Sequence, residues 1–582
     1  MLETTSTAAS AGATAPAASE RRSALAALSA DWLRGYGFVL VVYIAATYFT
    51  DVVNMGDTGG YANLIMTSTF SDLLSDFGHL LWVILGRLLS GVVNAFTDAD
   101  PRMNIIFILL ALGWMAGLLS AWLVYNLAYR VARRKWVAAW AAVVFIFSQG
   151  FLNFAQTGCA YVPGLSMILS GVWLLFREED RRNHPPTSGI AAGAAFAAGV
   201  GFWAPYILSI PALLVSSLLI FGVSGWRLRV VVRAGFTFAI ICTAFYGSAA
   251  ALQGIHDFAG LKDWTLSAGQ TITHIGGFSR MVFGFARTFI NMGNDGVLFK
   301  RFLLHDPYNA VSLLDLFRLS LGKLLFFYLL FGLWAVALLR SEKGRRFFGF
   351  LALAAVPVIG FAWHWQGGDL ERYLPLYPAI FLALAHLLSE GRWLILSRLT
   401  AAAWLIAVVY INGSTMAATR SLGRQERVVA RINELQPLWK PESRIATVLI
   451  QDDLFKFPET FFFHPLNRDG ILGDRGPGRG IVFDIADRGG SDSPLWRQAF
   501  AKRALSIWSA GGDLWISKRA FSPRPAADSA WVEGDDPRIS WRDIHEFFSQ
   551  LETGASVGGA DGFFLLPPSS GNRQFLTRWM GS

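Results

Sequence analysis

Residues 103–127, MNIIFILLALGWMAGLLSAWLVYNL, decide the fold class. The run carries no charged residue, and it exceeds the ~20 apolar residues that cross a bilayer core as a helix. It stops against Arg130, Arg133, Arg134 and Lys135. An apolar run ended by cations has the form of a membrane span reaching the cytoplasm. The pattern recurs along the chain. Span candidates are 36–50, 103–127, 136–152, 163–176, 189–203, 206–222, 230–252, 323–339, 347–363, 373–389 and 393–412, eleven in all. A further apolar stretch, 77–96, carries His79, Arg87 and Asn94 and is expected to lie at the interface.

Composition agrees. The chain has 582 residues, 53% hydrophobic and only 16% charged, with a mean hydropathy of +0.42. Soluble chains carry about 25% charged residues, and soluble cores cannot bury this much apolar surface. A soluble cytosolic enzyme, a disordered protein and a disulfide scaffold are excluded. The two cysteines, Cys159 and Cys242, fall in different apolar segments, which supports neither a disulfide framework nor a thiolate metal site. The net charge of +9 comes from short basic runs between spans. That is the signature of cytoplasmic loops, and nucleic acid is set aside as a partner.

Orientation follows from those runs. With a cytoplasmic N-terminus, Arg130–Lys135, Arg177, Arg181, Arg182, Arg227, Arg229, Arg233, Arg340, Lys343, Arg345, Arg346, Arg392 and Arg398 all lie inside. The short outer loops hold Arg87, Arg102 and Arg372. The loops 51–102, 253–322 and 363–372 and the region 413–582 then face away from the cytoplasm. Residues 1–34, rich in Ala, Ser and Thr, are expected to be a disordered cytoplasmic tail. They are not a signal peptide, because the first apolar run starts only near Tyr36 and no small-residue cleavage site follows it.

The region 413–582 is mixed. Ile445–Ile450, Gly480–Ile485, Asp513–Ser517 and Phe563–Leu566 have the look of short buried strands, and 494–509 and 540–552 of amphipathic helices. The expected architecture is mainly α. A membrane bundle over 35–412 is followed by a small α/β extracytoplasmic domain over 413–582.

Polar chemistry gathers in the outer loops. After the first span the chain reads Asn54-Met55-Gly56-Asp57-Thr58-Gly59-Gly60-Tyr61, and later Asp76-Phe77-Gly78-His79. Asp57 sits where a carboxylate can serve as a general base or anchor an acceptor hydroxyl. It also has the position of a helix N-cap. His79 fits a substrate contact or an interfacial histidine. The loop Gly367-Gly368-Asp369-Leu370-Glu371-Arg372-Tyr373-Leu374-Pro375 opens a late span. Arg372 there can hold a phosphate through its planar fork, or pair with Asp369 or Glu371. The long loop 253–322 adds Lys300 and Arg301, candidates for phosphate or for lipid headgroups.

These segments, taken with the topology, resemble the polytopic GT-C glycosyltransferases. The similar members are the protein mannosyltransferase and aminoarabinose-transferase-like group, and the DUF2723 branch through Asp57 and His79. The first loop has one acidic residue at the motif where many members have a pair, and Asp-Phe-Gly-His lacks the prolines of the DUF2723 branch. The resemblance implies transfer of a sugar from a polyprenyl-phosphate donor to a glycan, lipid or protein acceptor at the outer face of a bacterial inner membrane. Asp57 would take the acceptor proton and the anomeric carbon would invert. His79, Glu371, Arg372, Tyr373, Lys300 and Arg301 would contact substrate. It implies no cofactor, and the single acidic residue argues against a metal-dependent variant. No Gly-rich nucleotide-sugar loop competes with this reading. A transporter would need ionisable groups in mid-span, where this chain has few. A non-catalytic component of polysaccharide export would share the topology without needing Asp57.

Overall fold

The computed structural model describes residues 35–52, 57–98, 101–177, 187–267, 277–293, 296–390, 394–421, 438, 443–449, 482–485, 496–527, 529–559 and 562–580. The tail 1–34 lies outside them. Among the described residues, seven helices are long and apolar enough to cross a membrane. They are Phe77–Asn94, Asn104–Ala132, Ala204–Phe221, Gly225–Leu252, Leu313–Leu339, Glu342–His364 and Leu396–Ala418. Gly35–Phe49, Lys135–Phe147, Tyr161–Phe176 and Thr187–Phe202 are apolar but shorter. These helices, long and short, are apolar all round. Val39, Leu109, Leu165 and Phe350 are buried inside, while Val41, Phe107, Leu329, Val356 and Ile406 are exposed outside. That is the surface of a helix bundle solvated by lipid.

The segment 77–96, expected to lie at the interface or dip into it, is helical over Phe77–Asn94 and by length and composition alone would suffice to cross a membrane. Two expectations are corrected. The span expected over 136–152 stops at Phe147, and a separate short helix covers Gln149–Phe154. The break exists because the Gln149 and Gly150 N–H groups donate to Phe289 O and Thr288 O. The Asn412 side chain then donates to Phe147 O at 2.6 Å and Phe289 O at 2.8 Å, so the opened backbone is satisfied inside the bundle. The span expected over 373–389 begins as a 3₁₀ turn, Leu370–Leu376, and becomes an α-helix only over Tyr377–Ser389. Pro375 cannot donate to a helical ladder. This last helix is buried along nearly all its length.

The bundle has two unlike ends. Arg130 lies over Trp173, Arg227 over Trp226 and Arg398 over Trp136, and the helix Glu342–His364 starts beside Arg345 and Arg346. At the opposite end, the helices starting at Thr58 and Tyr161, the turn Phe77–His79 and the turn Leu370–Leu376 converge.

The C-terminal part builds a five-stranded sheet in the order β2-β1-β3-β5-β4. Its strands are β1 Arg444–Thr447, β2 Val482–Asp484, β3 Leu514–Ser517, β4 Ser556–Val557 and β5 Phe563–Leu566. β2, β1 and β3 are parallel, and β5 and β4 add antiparallel. Ile450, Gly480 and Ile481, expected in strands, lie outside the described residues. The helices Trp496–Ser509, Trp541–Phe548 and Ser570–Met580 close an aromatic core around Trp496, Phe500 and Phe547.

Candidate active site

Asp57 stands at the N-cap position of the helix Thr58–Thr67, and its backbone carbonyl accepts from Tyr61 N–H at 2.9 Å. Its side chain makes no capping bond. Instead Oδ2 accepts the hydroxyl of Tyr61 at 3.4 Å and, closely, that of Tyr161. The cap is thus a backbone arrangement, and the carboxylate is turned toward two phenols.

Tyr161 opens the helix Tyr161–Arg177 and reaches Asp57 because the turn before it is pinned. Thr58 Oγ1 accepts Gly158 N–H at 2.9 Å, and Trp82 Nε1 donates to Gly158 O at 3.0 Å. A Cβ at Gly158 would lie 2.7 Å from Leu109 Cβ and 2.8 Å from Thr58 Cγ2, so only glycine lets the two segments approach. Tyr206 donates its hydroxyl to Tyr161 O at 2.7 Å, and Phe154 and Trp203 pack edge-on against the Tyr161 ring.

His79 ends the turn Phe77–His79. Its Nδ1 lies 3.3 Å from both Asp76 oxygens, and its ring packs against Tyr61 at 5.0 Å. Its Nε2 is buried without a partner among the described residues. Burial pushes the Asp76 carboxyl up, but the charge and hydrogen bond of His79, with backbone N–H groups of Gly78 and His79, bring it below the usual carboxylate range.

Arg372 and Glu371 come from the turn Leu370–Leu376. Arg372 Nη2 donates to Gln366 Oε1 at 3.1 Å and stands 3.6 Å from Asp369 and 3.8 Å from Glu371. Phe361 underlies the guanidinium at 5.9 Å, and Nε has no partner among the described residues. The two carboxylates therefore hold Arg372 loosely. Burial opposes its charge, yet Glu371, Asp369, Tyr161 and Asp57 together reinforce it. Asp57 acts on Glu371 as well, so the loop after the first helix and the 366–372 loop share one electrostatic site.

Burial, followed by the charge of Asp369, pushes the Glu371 carboxyl up to about 8 against the opposing pull of Arg372. The fold thus favours protonated Glu371. That contribution is fully present below the ordinary carboxyl range and is lost as pH rises toward about 8. Glu371→Gln imitates the protonated form. Its melting temperature should gain on wild type as pH rises from about 5 to about 8 and level off above that. A gap independent of pH would show that Glu371 does not titrate this way.

The remaining candidates are placed differently. Tyr373 is buried and donates its hydroxyl to Met281 O at 2.9 Å and Gly367 O at 2.7 Å, tying its loop to the helix Phe278–Arg287. Lys300 and Arg301, on the helix Val297–Leu304, are not brought to Asp57. Lys300 Nζ binds Asp535 at 2.7 Å. Arg301 donates to Ala527 O and Ser529 O and faces Asp306 at 3.7 Å. Both basic groups fasten the loop to the C-terminal part. Among the described residues no three His, Cys, Asp or Glu side chains group as metal ligands. The sequence reading missed Tyr61 and Tyr161. Tyr61 had a usable signal, four residues after Asp57 on the same helical face. Tyr161 had none, since it opens an apolar run far along the chain.

No protein-family model matches the chain, and no curated protein matches its sequence. Solved structures do match in fold. ArnT from Cupriavidus metallidurans bound to undecaprenyl phosphate is similar with a TM-score of 0.50 and 12% identity, over 92% of this chain and 98% of that one. The apo form of the same protein gives 0.51 and 11%, over 93% and 98%. The archaeal oligosaccharyltransferase AglB from Archaeoglobus fulgidus, with an inhibitory peptide and a dolichol-phosphate, gives 0.45 and 12%, over 92% and 74%. Over more than nine-tenths of its length, then, the chain shares the fold of ArnT.

Proposed function

We propose that the protein is an integral-membrane glycosyltransferase that moves a sugar from a polyprenyl-phosphate donor to an acceptor hydroxyl. One observation carries the reading: an Asp57 carboxylate oxygen without a partner among the described residues and a loosely held Arg372 are joined through Tyr161, which bonds Asp57 and opens the helix packed against the turn Leu370–Leu376, at the end of the bundle opposite the arginine-rich end. The binding of undecaprenyl phosphate by ArnT, a protein of this fold, supports a lipid-phosphate donor.

In this reading Asp57 Oδ1 takes the acceptor proton as the acceptor oxygen attacks the anomeric carbon. The bond from that carbon to the phosphate oxygen breaks on the opposite face, with inversion. The electron pair leaves on the lipid phosphate, whose charge Arg372 offsets. The arginine-rich end faces the cytoplasm by the positive-inside rule, so the site opens on the outer side of the cell membrane.

The test uses purified protein in nanodiscs with a panel of undecaprenyl-phosphate-linked hexoses and pentoses. Release of undecaprenyl phosphate should appear for one donor and rise when envelope glycan is added. A reporter fused after Ser582 should be active outside the cytoplasm. No release with any donor, or a reporter active only in the cytoplasm, would overturn the assignment.

A further inference from the structure

We propose that Tyr161 is a positioning residue that clamps Asp57 by its Oδ2 atom and so makes Oδ1 the oxygen that meets the acceptor hydroxyl. The inference rests on the glycosyltransferase reading and adds a residue to its machinery.

Geometry carries it. Both phenols that touch Asp57 donate to the same oxygen, Oδ2, Tyr161 closely and Tyr61 at 3.4 Å. No described residue donates to Oδ1. A carboxylate at the start of a helix normally turns back to cap it, and this one does not. Something must hold it away, and Tyr161 is itself rigidly held. Its backbone carbonyl takes the Tyr206 hydroxyl, and its ring is boxed by Phe154, Trp203 and His79. The turn behind it is locked to Thr58, the residue next to Asp57. The clamp and the clamped group are therefore fixed to the same small frame. A freely rotating carboxylate would present either oxygen, or neither, to an incoming hydroxyl. A clamped one presents a single oxygen in one direction, and orientation of this kind is worth rate rather than affinity.

The conservative variant is Tyr161→Phe, which keeps the ring packing and removes only the hydroxyl. Two measurements follow. The first needs no substrate. The carboxylate stretching band of Asp57, isolated as the infrared difference between wild type and Asp57→Asn, should shift in Tyr161→Phe. It should shift less in Tyr61→Phe, whose bond is longer. The second is release of undecaprenyl phosphate from the donor that wild type uses. Its kcat should fall about tenfold in Tyr161→Phe, the loss of one hydrogen bond to a charged group, with KM unchanged. An unmoved band, or unchanged kcat, would overturn the clamp. Wild-type protein that turns over no donor while its band still shifts in Tyr161→Phe would overturn the glycosyltransferase reading and leave the clamp standing as geometry. If Tyr161→Phe proves unstable, Tyr206→Phe, which removes the hydroxyl that holds the Tyr161 carbonyl, carries the same two readouts, a shifted band with lowered kcat supporting the proposal and an unmoved band opposing it.

Discussion

Asp57→Asn is expected to lower sugar transfer by about 10²–10⁴-fold, the usual share of general-base assistance, while leaving thermal stability near wild type. The structure sharpens this expectation. A capping role would survive the change, since Asn caps as well as Asp, but the Asp57 side chain makes no cap bond to lose. What Asn retains is an amide oxygen for the Tyr161 and Tyr61 hydroxyls. What it lacks is a basic oxygen on the other side. Transfer should therefore collapse with the phenol contacts intact. Transfer at the wild-type rate would make Asp57 a structural anchor. The catalytic assignment would then move to another carboxylate of the same end, Asp76 beside His79 or Asp369 beside Arg372.

The parts of the site legible in sequence were those where polar residues interrupt apolar runs. Asp57, His79, Glu371 and Arg372 all flank apolar stretches, and the fold brings these four to one end of the bundle. Such residues are costly near lipid unless something pairs with them, so their position alone singles them out. Tyr161 was invisible for the converse reason. A tyrosine opening an apolar helix is what any interfacial belt contains. Only the fold shows that its hydroxyl reaches Asp57, where the packing of Gly158 on Thr58 and Leu109 brings the two segments together.

Long-range partners account for the other differences. The sequence offers Lys300 and Arg301 as contacts for phosphate or headgroups, but apart from Asp306 beside Arg301 their partners lie at 527–535, more than two hundred residues on. The break after Phe147 depends on Asn412 and on the carbonyls of Thr288 and Phe289. Hydropathy has no way to register a backbone satisfied by residues so distant. In the C-terminal part the short apolar runs and amphipathic stretches located strands and helices near the observed ones. The order β2-β1-β3-β5-β4 rests instead on pairings between segments distant in the chain, β1 with β2 and β3, and β3 with β5.

Arg372→Lys is expected to weaken binding of undecaprenyl phosphate by about 10–100-fold, the value of a charge-assisted hydrogen bond to a buried anion. Lysine keeps the charge, so a purely Coulombic role would predict little change. The guanidinium does more than carry charge. It stands over the Phe361 ring at 5.9 Å, gives one nitrogen to Gln366, and keeps Nε unpartnered among the described residues. An ammonium group has neither the plane nor the fork to reproduce this. The neighbouring carboxylates do not occupy the fork, since Asp369 and Glu371 stand at 3.6 and 3.8 Å, outside good hydrogen-bond reach. Glu371 supplies the control. Burial and Asp369 push its carboxyl up, and Glu371→Gln leaves the fork of Arg372 in place, so it should alter affinity far less than Arg372→Lys. Arg372→Ala should weaken binding more than Arg372→Lys, because it removes the charge as well as the fork. Titration of undecaprenyl phosphate into the three variants in nanodiscs decides the matter. Equal affinities for wild type and Arg372→Lys would reduce Arg372 to a point charge and end its assignment as a bidentate phosphate ligand.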